Sequence, residues 1–400
     1  MAMTRRGFLK TTLRTSALAT CMPLVPDSLI RSSRGGVGPD DNDRVLVVLQ
    51  LTGGNDGLNT VVPYGDDVYA QGRPTLQLPT GDLHKIDDYM GFHPRMAAFS
   101  RLFQEGQLSI VQGVGCSNLS NDHEEAMRVW HTADPAAQHT GWLGRTADQL
   151  RMTGRGVPVA FVSSIKRPFV LCAQGAIIPR IDSVDKLTLS QPILASSNEF
   201  DQDNPLLGFV QSSSANSRVM SKRIKAVSTS HSNYPSFKLA QNLHTIAQLI
   251  RADVGVRVFF TELGGDGFGG FDNHANQLGN HCALLHQLSE SVGAFIRDLQ
   301  KQNLLDKVLL MTYSEFGRTV NENGRRGTGH GAAAPVFLAG GQLKGRLIGA
   351  HPSLTDLHKS SLKHHTDFRQ LYATALDTWL GVDSKAVLGQ QFETVNCLSV

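Results

Sequence analysis

Residues 44–57 read RVLVVLQLTGGNDG. From Val45 to Leu51 every position except Gln50 is apolar, without the polar alternation of a strand that has one face in water. A continuous apolar run of this length, ended by a Gly-Gly-Asn-Asp-Gly turn, predicts a strand covered on both faces, the usual state in a parallel sheet flanked by helices. Five other runs have the same character: QLSIVQGVG (107–115), VPVAFVSS (157–164), GVRVFFTEL (255–263), KVLLMTYS (307–314) and PVFLAG (335–340).

Between these continuous runs a helical periodicity of 3.6 appears. HPRMAAFSRLFQEGQ (93–107) reads as a helix with a glycine stop, and Leu278, Cys282, Leu285, Leu288, Val292, Ile296 and Leu299 recur at helical spacing. TDFRQLYATALDTWLG, with Thr366 or Asp367 as cap and Gly381 as stop, reads as a closing helix. The predicted fold is therefore α/β, a doubly wound and mainly parallel sheet with helices on both faces.

Composition sets the bounds. The 400 residues are 40% hydrophobic, 7% aromatic and 18% charged, ordinary for a globular chain. No run approaches the roughly 18–20 apolar residues needed to cross a bilayer, so no transmembrane span is expected. The N-terminus, MAMTRRGFLKTTLRTSALATCMPLVP, places Arg5 and Arg6 before Gly7, Phe8, Leu9 and Lys10 and a weakly apolar segment. It resembles a twin-arginine export signal, which predicts the export machinery as a partner and a periplasmic or extracellular location. Residues 1–34 are set aside on that basis, and residues 35–400 are read as one domain.

The first 34 residues hold Arg5, Arg6, Lys10, Arg14, Arg31 and Arg34 against the single acid Asp27, leaving 32 of the 38 basic and 34 of the 35 acidic residues. A near-neutral body without a Lys/Arg stripe gives no argument for nucleic-acid binding. Cys21 follows Leu18, Ala19 and Thr20, a weak match to a lipoprotein cleavage box. Cys116, Cys172, Cys282 and Cys397 have no CxxC or zinc-knuckle spacing and read as buried free thiols. The Ser/Asn/Asp-rich stretch at about 191–236 reads as an insertion over the sheet.

In open parallel sheets ligands collect beyond the carboxyl ends of the strands. After the first run come Asn55 and Asp56. After QLSIVQGVG comes CSNLSNDHEEAM with Ser117, Ser120, Asp122 and His123; after GVRVFFTEL comes GGDGFGGFDNHANQ with Asp272 and His274. After KVLLMTY come Ser314 and Glu315, and the polar loop returns through His330 in GTGHG.

The pieces LTGGNDGLNTVVP, VQGVGCSN, GWLGR, FDNHANQ, SEFGRTVNENGRRGTGHGAAAPVFLAGG and HHTDFRQLYATALDTWLG resemble the twin-arginine-exported family known as domain of unknown function 1501. That family is similar to the alkaline phosphatase and sulfatase superfamily, whose doubly wound sheet presents two metals and a hydroxyl nucleophile. The resemblance implies Asp56 as the metal-binding acid after the first strand, Asp272 and His274 as a paired acid and histidine at shorter spacing, Glu315 as an acid ligand and His330 as the last metal histidine. Phe316 stands where alkaline phosphatases have a ligating histidine. Most family members read GTDHG and carry a serine in an SHF motif, where this chain has Gly329 and Asp122.

Mixed carboxylate and imidazole ligands suit a divalent metal such as zinc, manganese or iron. Each residue also has a structural reading. Asp56 fits a turn, Asp272 fits a cap for a helix starting near Ala275, and Glu315 fits an ion pair with Arg318. Ser120 and Asp122, the candidate nucleophiles, both fit a helix cap before EEAMRVW. His93, His123, His364 and His365 receive no role. Two functions follow: an exported metal-dependent hydrolase of small-molecule or polymeric phosphate or sulfate esters, or a non-catalytic exported binding or scaffold protein with a degenerate site.

Overall fold

Strand β1, Val45–Leu51, is buried along its whole length. Its side chains alternate between two cores: Val45, Val47, Leu49 and Leu51 enter one, Leu46 and Val48 the other. That division explains the continuous apolar run, since both faces of the strand meet apolar layers. The computed structural model describes residues 43–400 apart from 118, 135, 138, 153–156, 164–165, 185–222, 224–225, 227–232 and 265–269. The expected signal, Cys21 and nearly all of the 191–236 insertion lie outside the described residues.

The main sheet contains β1, β2 (Leu108–Gly115), β3 (Val159–Val162), β4 (Arg180–Ile181), β5 (Val258–Leu263), β6 (Val308–Tyr313), β9 (Ala334–Gly340), β10 (Leu347–Ile348) and β11 (Thr366–Asp367). Their order is β10-β2-β9-β6-β1-β5-β3-β4, with β11 also pairing with β2. β1 runs parallel to both neighbours, Leu46 lying opposite Val258 and Leu309. Among the described pairings every neighbour is parallel except β9, which is antiparallel to β6 and to β2. The run 335–340 is thus a correction: the start of β9, not the loop after it, lies at the carboxyl edge of β6. The cause is its connection. Residues 314–333 contain the hairpin β7 (Arg318–Glu322) and β8 (Thr328–His330) and no crossover helix, so the chain returns antiparallel.

One face of the sheet is covered by α2 (Ala97–Gln104), α5 (Lys238–Arg251) and α6 (Gln277–Lys301), through Phe99, Leu243, Leu288 and Phe295. A shorter helix, α1 (Asp67–Gly72), lies beside the hairpin. The opposite face is covered by α3 (His123–Thr132), α4 (Trp142–Met152) and α7 (Phe368–Ala373), through Trp130, Trp142 and Tyr372. Asp367 caps α7 in a capping box with Gln370, and a π-helical turn carries the chain on to Gly381, at φ +67°. The fold is the doubly wound α/β arrangement expected, and the polar loops gather at the carboxyl edge of β1, β5 and β6.

Candidate metal centre

The GGNDG turn brings three loops together. A Cβ on Gly53 would lie 2.6 Å from the backbone nitrogens of Phe271 and Asp272, and one on Gly54 would lie 2.4 Å from the Phe316 ring. Both glycines have positive φ, so this close approach is open only to glycine here. The Gly53 amide donates to Glu315 Oε1 at 2.8 Å, and the Thr52 carbonyl accepts from the Phe271 amide at 2.9 Å. The loops after β1, β5 and β6 are thereby fixed to one another.

Asp272 Oδ1 is the point on which the side chains converge. His274 Nε2 lies 3.0 Å from it, His123 Nε2 3.3 Å and His330 Nε2 3.3 Å. Arg318 Nη2 donates to the same oxygen at 2.8 Å. One ligand atom from each of His123, Asp272, His274 and His330 lies within 4.8 Å of the other three. Phe316 is fully buried against two of the rings, stacked on His330 at 4.6 Å and tilted to His123 at 4.8 Å. Arg318, also buried, gives its remaining donors to the carbonyls of Gly53, Gly54, Phe271 and Thr328.

The donor set fits a metal ion. His123 Nδ1 is held by Glu315 Oε1 at 2.9 Å, and His330 Nδ1 by the Asn121 carbonyl. Since a carboxylate and a carbonyl only accept, both Nδ1 atoms carry the proton, which leaves the Nε2 lone pairs of the neutral rings aimed at the centre. His330 Nε2 lies 2.8 Å from His274 Nε2, and the buried His123 Nε2 has no hydrogen-bond partner, its approach to Asp272 being poorly aligned for one. The inward lone pairs of His123 and His330 beside a carboxylate oxygen suit a cation bound between them. Three imidazoles and one carboxylate are borderline donors suited to zinc, iron or manganese.

Electrostatics agree in part. His274 is held below its ordinary pKa, by burial first and then by Arg318, His330 and His123 against the attraction of Asp272. Burial acts to raise the Asp272 carboxyl, but the Arg318 hydrogen bond and charge, with His274 and His123, bring it below the ordinary value. His123 moves the other way, raised chiefly by its hydrogen bond to Glu315 against the opposing effect of burial. A proton therefore competes with metal at His123.

Of the residues singled out in the sequence, Asp272, His274 and His330 meet. Glu315 is a correction as a ligand: fully buried, it accepts from Gly53, Ser314 and His123, and so stands behind an imidazole. Its anticipated partner Arg318 pairs with Asp272 instead. Asp56 is a second correction. It is buried and bound at both oxygens by Arg73, with Gln277 donating as well, so its charge is already matched. Burial acts to raise its carboxyl, but the Arg73 charge and hydrogen bond, with His281 and Gln277, together hold it below the ordinary value. Asp122 is the N-cap of α3, accepting from the amides of Glu124 and Glu125, and Ser120 Oγ accepts from the Asp122 amide at 3.1 Å. Asp122 is occupied in the cap, one of the readings of that stretch, and Ser120 bonds only the amide of that N-cap residue. His123 was missed. Its signal was its place just after a cap at the end of a strand loop, the same placement that singled out His274.

A family model described as Protein of unknown function (DUF1501) matches residues 43–395. No curated protein matches the sequence. Among solved structures, a protein in the alkaline phosphatase superfamily from Vibrio parahaemolyticus is 10% identical and aligns over 91% of this chain and 76% of its own, with a TM-score of 0.41. The C-terminal periplasmic domain of EcEptC from Escherichia coli, a complex with Zn, is 9% identical over 77% of this chain and 74% of its own, at 0.37. The soluble domain of lipooligosaccharide phosphoethanolamine transferase A from Neisseria meningitidis is 12% identical over 76% and 78%, also at 0.37.

Proposed function

We propose that this chain, which belongs to the DUF1501 family of proteins of unknown function, is an exported metal-dependent hydrolase of phosphate or sulfate esters. The observation that carries the reading is the approach of ligand atoms of His123, Asp272, His274 and His330 to within 4.8 Å of one another at the carboxyl edge of β1, β5 and β6 in a mainly parallel sheet. A divalent metal held by these four would supply Lewis acidity toward a phosphoryl or sulfuryl oxygen.

The remaining residues hold this set in place. Glu315 and Asn121 fix the His123 and His330 rings through Nδ1, which directs Nε2 inward. Arg318 orients Asp272 and offsets part of its charge. Phe316 closes the floor and keeps water from beneath the imidazoles. With Asp122 engaged in the α3 cap, water or the Ser120 hydroxyl is favoured over that carboxylate as the attacking group. Arg5 and Arg6 support the twin-arginine route, and among the described residues no helix is long and apolar enough to cross a membrane.

A non-catalytic exported binding or scaffold role has its own support. Arg318 already donates to the oxygen on which the imidazoles converge, and Phe316 offers no ligand. Two measurements on the exported protein decide between the readings: metal content by elemental analysis, and release of p-nitrophenol from its phosphate and sulfate esters. Near-stoichiometric zinc, manganese or iron with turnover that a chelator abolishes supports the hydrolase. Metal-free protein that acquires no activity with any of the three ions sinks it.

A further inference from the structure

We propose that Arg325 and Arg326 form an anion-recognition arm beside the candidate metal centre, selecting esters that carry a second phosphoryl or sulfuryl group. This rests on the hydrolase reading and names its substrate class.

The two arginines occupy the tip of the β7–β8 hairpin, whose far strand ends at His330. The tip is fixed against the other histidine-bearing loop. The Arg325 and Arg326 carbonyls accept from the amides of Asn276 and Gln277 at 3.0 and 2.9 Å, and Asn323 Nδ2 donates to the His274 carbonyl at 3.1 Å. A Cβ on Gly327 would lie 2.3 Å from the His274 carbonyl carbon, so the hairpin is in backbone contact with the loop that carries His274. Both arginines are exposed, and neither has an acidic partner among the described residues. The nearby acid of the hairpin, Glu322, is committed to Thr75 and to the Leu76 amide.

Other groups set the sign of the charge on this side. The arginine carbonyls take the amides at the start of α6, a helix of 25 residues with no acid in its first turn, so the hairpin tip lies against its positive dipole end. Asn273, buried between Asp272 and His274, has an Nδ2 donor without an acceptor among the described residues. Across the centre, the first turn of α3 beside His123 bears the exposed Glu124 and Glu125. A substrate with two anionic groups is thereby directed with its second group toward the hairpin tip. Arg326 also sits in the left-handed region at φ +57°, where a residue other than Gly, Asn or Asp is uncommon.

The test is calorimetric titration of the zinc-loaded full chain with inorganic phosphate and with pyrophosphate. The variant Arg325→Ala/Arg326→Asn is chosen because asparagine accepts the left-handed backbone. Loss of two charge-assisted contacts is expected to weaken pyrophosphate by about 10- to 100-fold. Phosphate affinity and zinc content should stay within about twofold, and Arg325→Lys/Arg326→Lys should recover part of the lost affinity by restoring the charge. Equal weakening of both anions, unchanged pyrophosphate binding, or a wild type that binds neither anion overturns the arm. If no ester is hydrolysed yet pyrophosphate affinity falls selectively, the arm stands and the hydrolase reading alone fails.

Discussion

Nε2 of His274 lies 2.8 Å from Nε2 of His330, although the two residues are 56 positions apart in sequence. The Asn121 carbonyl holds His330 Nδ1 on the far side of the ring, so the facing nitrogen is a lone pair in the neutral form. That lone pair, beside the Asp272 carboxylate, is placed to ligate a cation bound between the two rings.

His330→Ala is therefore expected to lose most of the bound metal and keep the fold, because His330 is part-exposed and its removal leaves no large cavity in the core. Bound metal at about 100 times its Kd stabilises a protein by about 2.7 kcal/mol. Wild type should accordingly melt well above the variant when metal is present, and the two should melt together in chelator. A wild type whose melting temperature ignores chelator contradicts the assignment.

Glu315 acts through His123, so Glu315→Gln is expected to weaken metal binding by roughly 10- to 100-fold without removing a ligand. The His123 pKa should fall as well, since the bond to Glu315 is the chief cause of its elevation. Proton NMR of the His123 ring in metal-free protein reads that shift directly. Unchanged titration together with unchanged metal affinity would show that Glu315 serves only the Gly53 amide and the Ser314 hydroxyl.

The sheet was legible because its signal is local: continuous apolar runs report burial on both faces wherever they occur. The direction of β9 was not, because direction depends on the connection, and GRTVNENGRRGTGH reads equally as a loop or as the hairpin it forms. In the site, Asp272, His274 and His330 were found, whereas the Arg73 partner of Asp56, the Arg318 partner of Asp272 and the ligand His123 were not. Asp56 and Asp272 are both acids following glycines after strands, yet one meets a guanidinium from 17 positions away and the other a guanidinium from 46 positions away together with three imidazoles. No spacing rule encodes which cation arrives. His123 was hidden by its neighbour, since Asp122 explained the stretch as a helix cap.

Arg5→Lys/Arg6→Lys is expected to leave the precursor in the cytoplasm, because the export receptor reads the paired guanidinium groups. Cell fractionation with an antibody to the mature domain checks this. Undiminished periplasmic protein would remove the localisation and, with it, the case for an extracytoplasmic substrate.

His131 gives a prediction for acid stability away from the centre. It lies buried in the last turn of α3, its Nε2–H donating to Gln50 Oε1, which also accepts from the Tyr313 hydroxyl. A helix C-terminus favours a charged imidazole by only about 0.3–1 kcal/mol in most settings. Burial dominates here and lowers the pKa to about 3. The unfolded chain binds this proton near pH 6.5 and the folded chain does not, so the stability contributed by neutral His131 is complete above pH 6.5 and is lost as pH falls toward 3. Within that window one such group lowers the unfolding free energy by about 1.4 kcal/mol per pH unit. His93, lowered to about 3, and His281, lowered to about 4, both by burial first, act in the same direction, so the total slope is steeper than one group provides. Urea unfolding of His131→Gln between pH 6 and 4 should give a slope shallower than wild type by about one proton, whatever the variant does to absolute stability. Parallel slopes for the two proteins would mean that His131 is protonated in the folded state, contrary to its burial against Gln50.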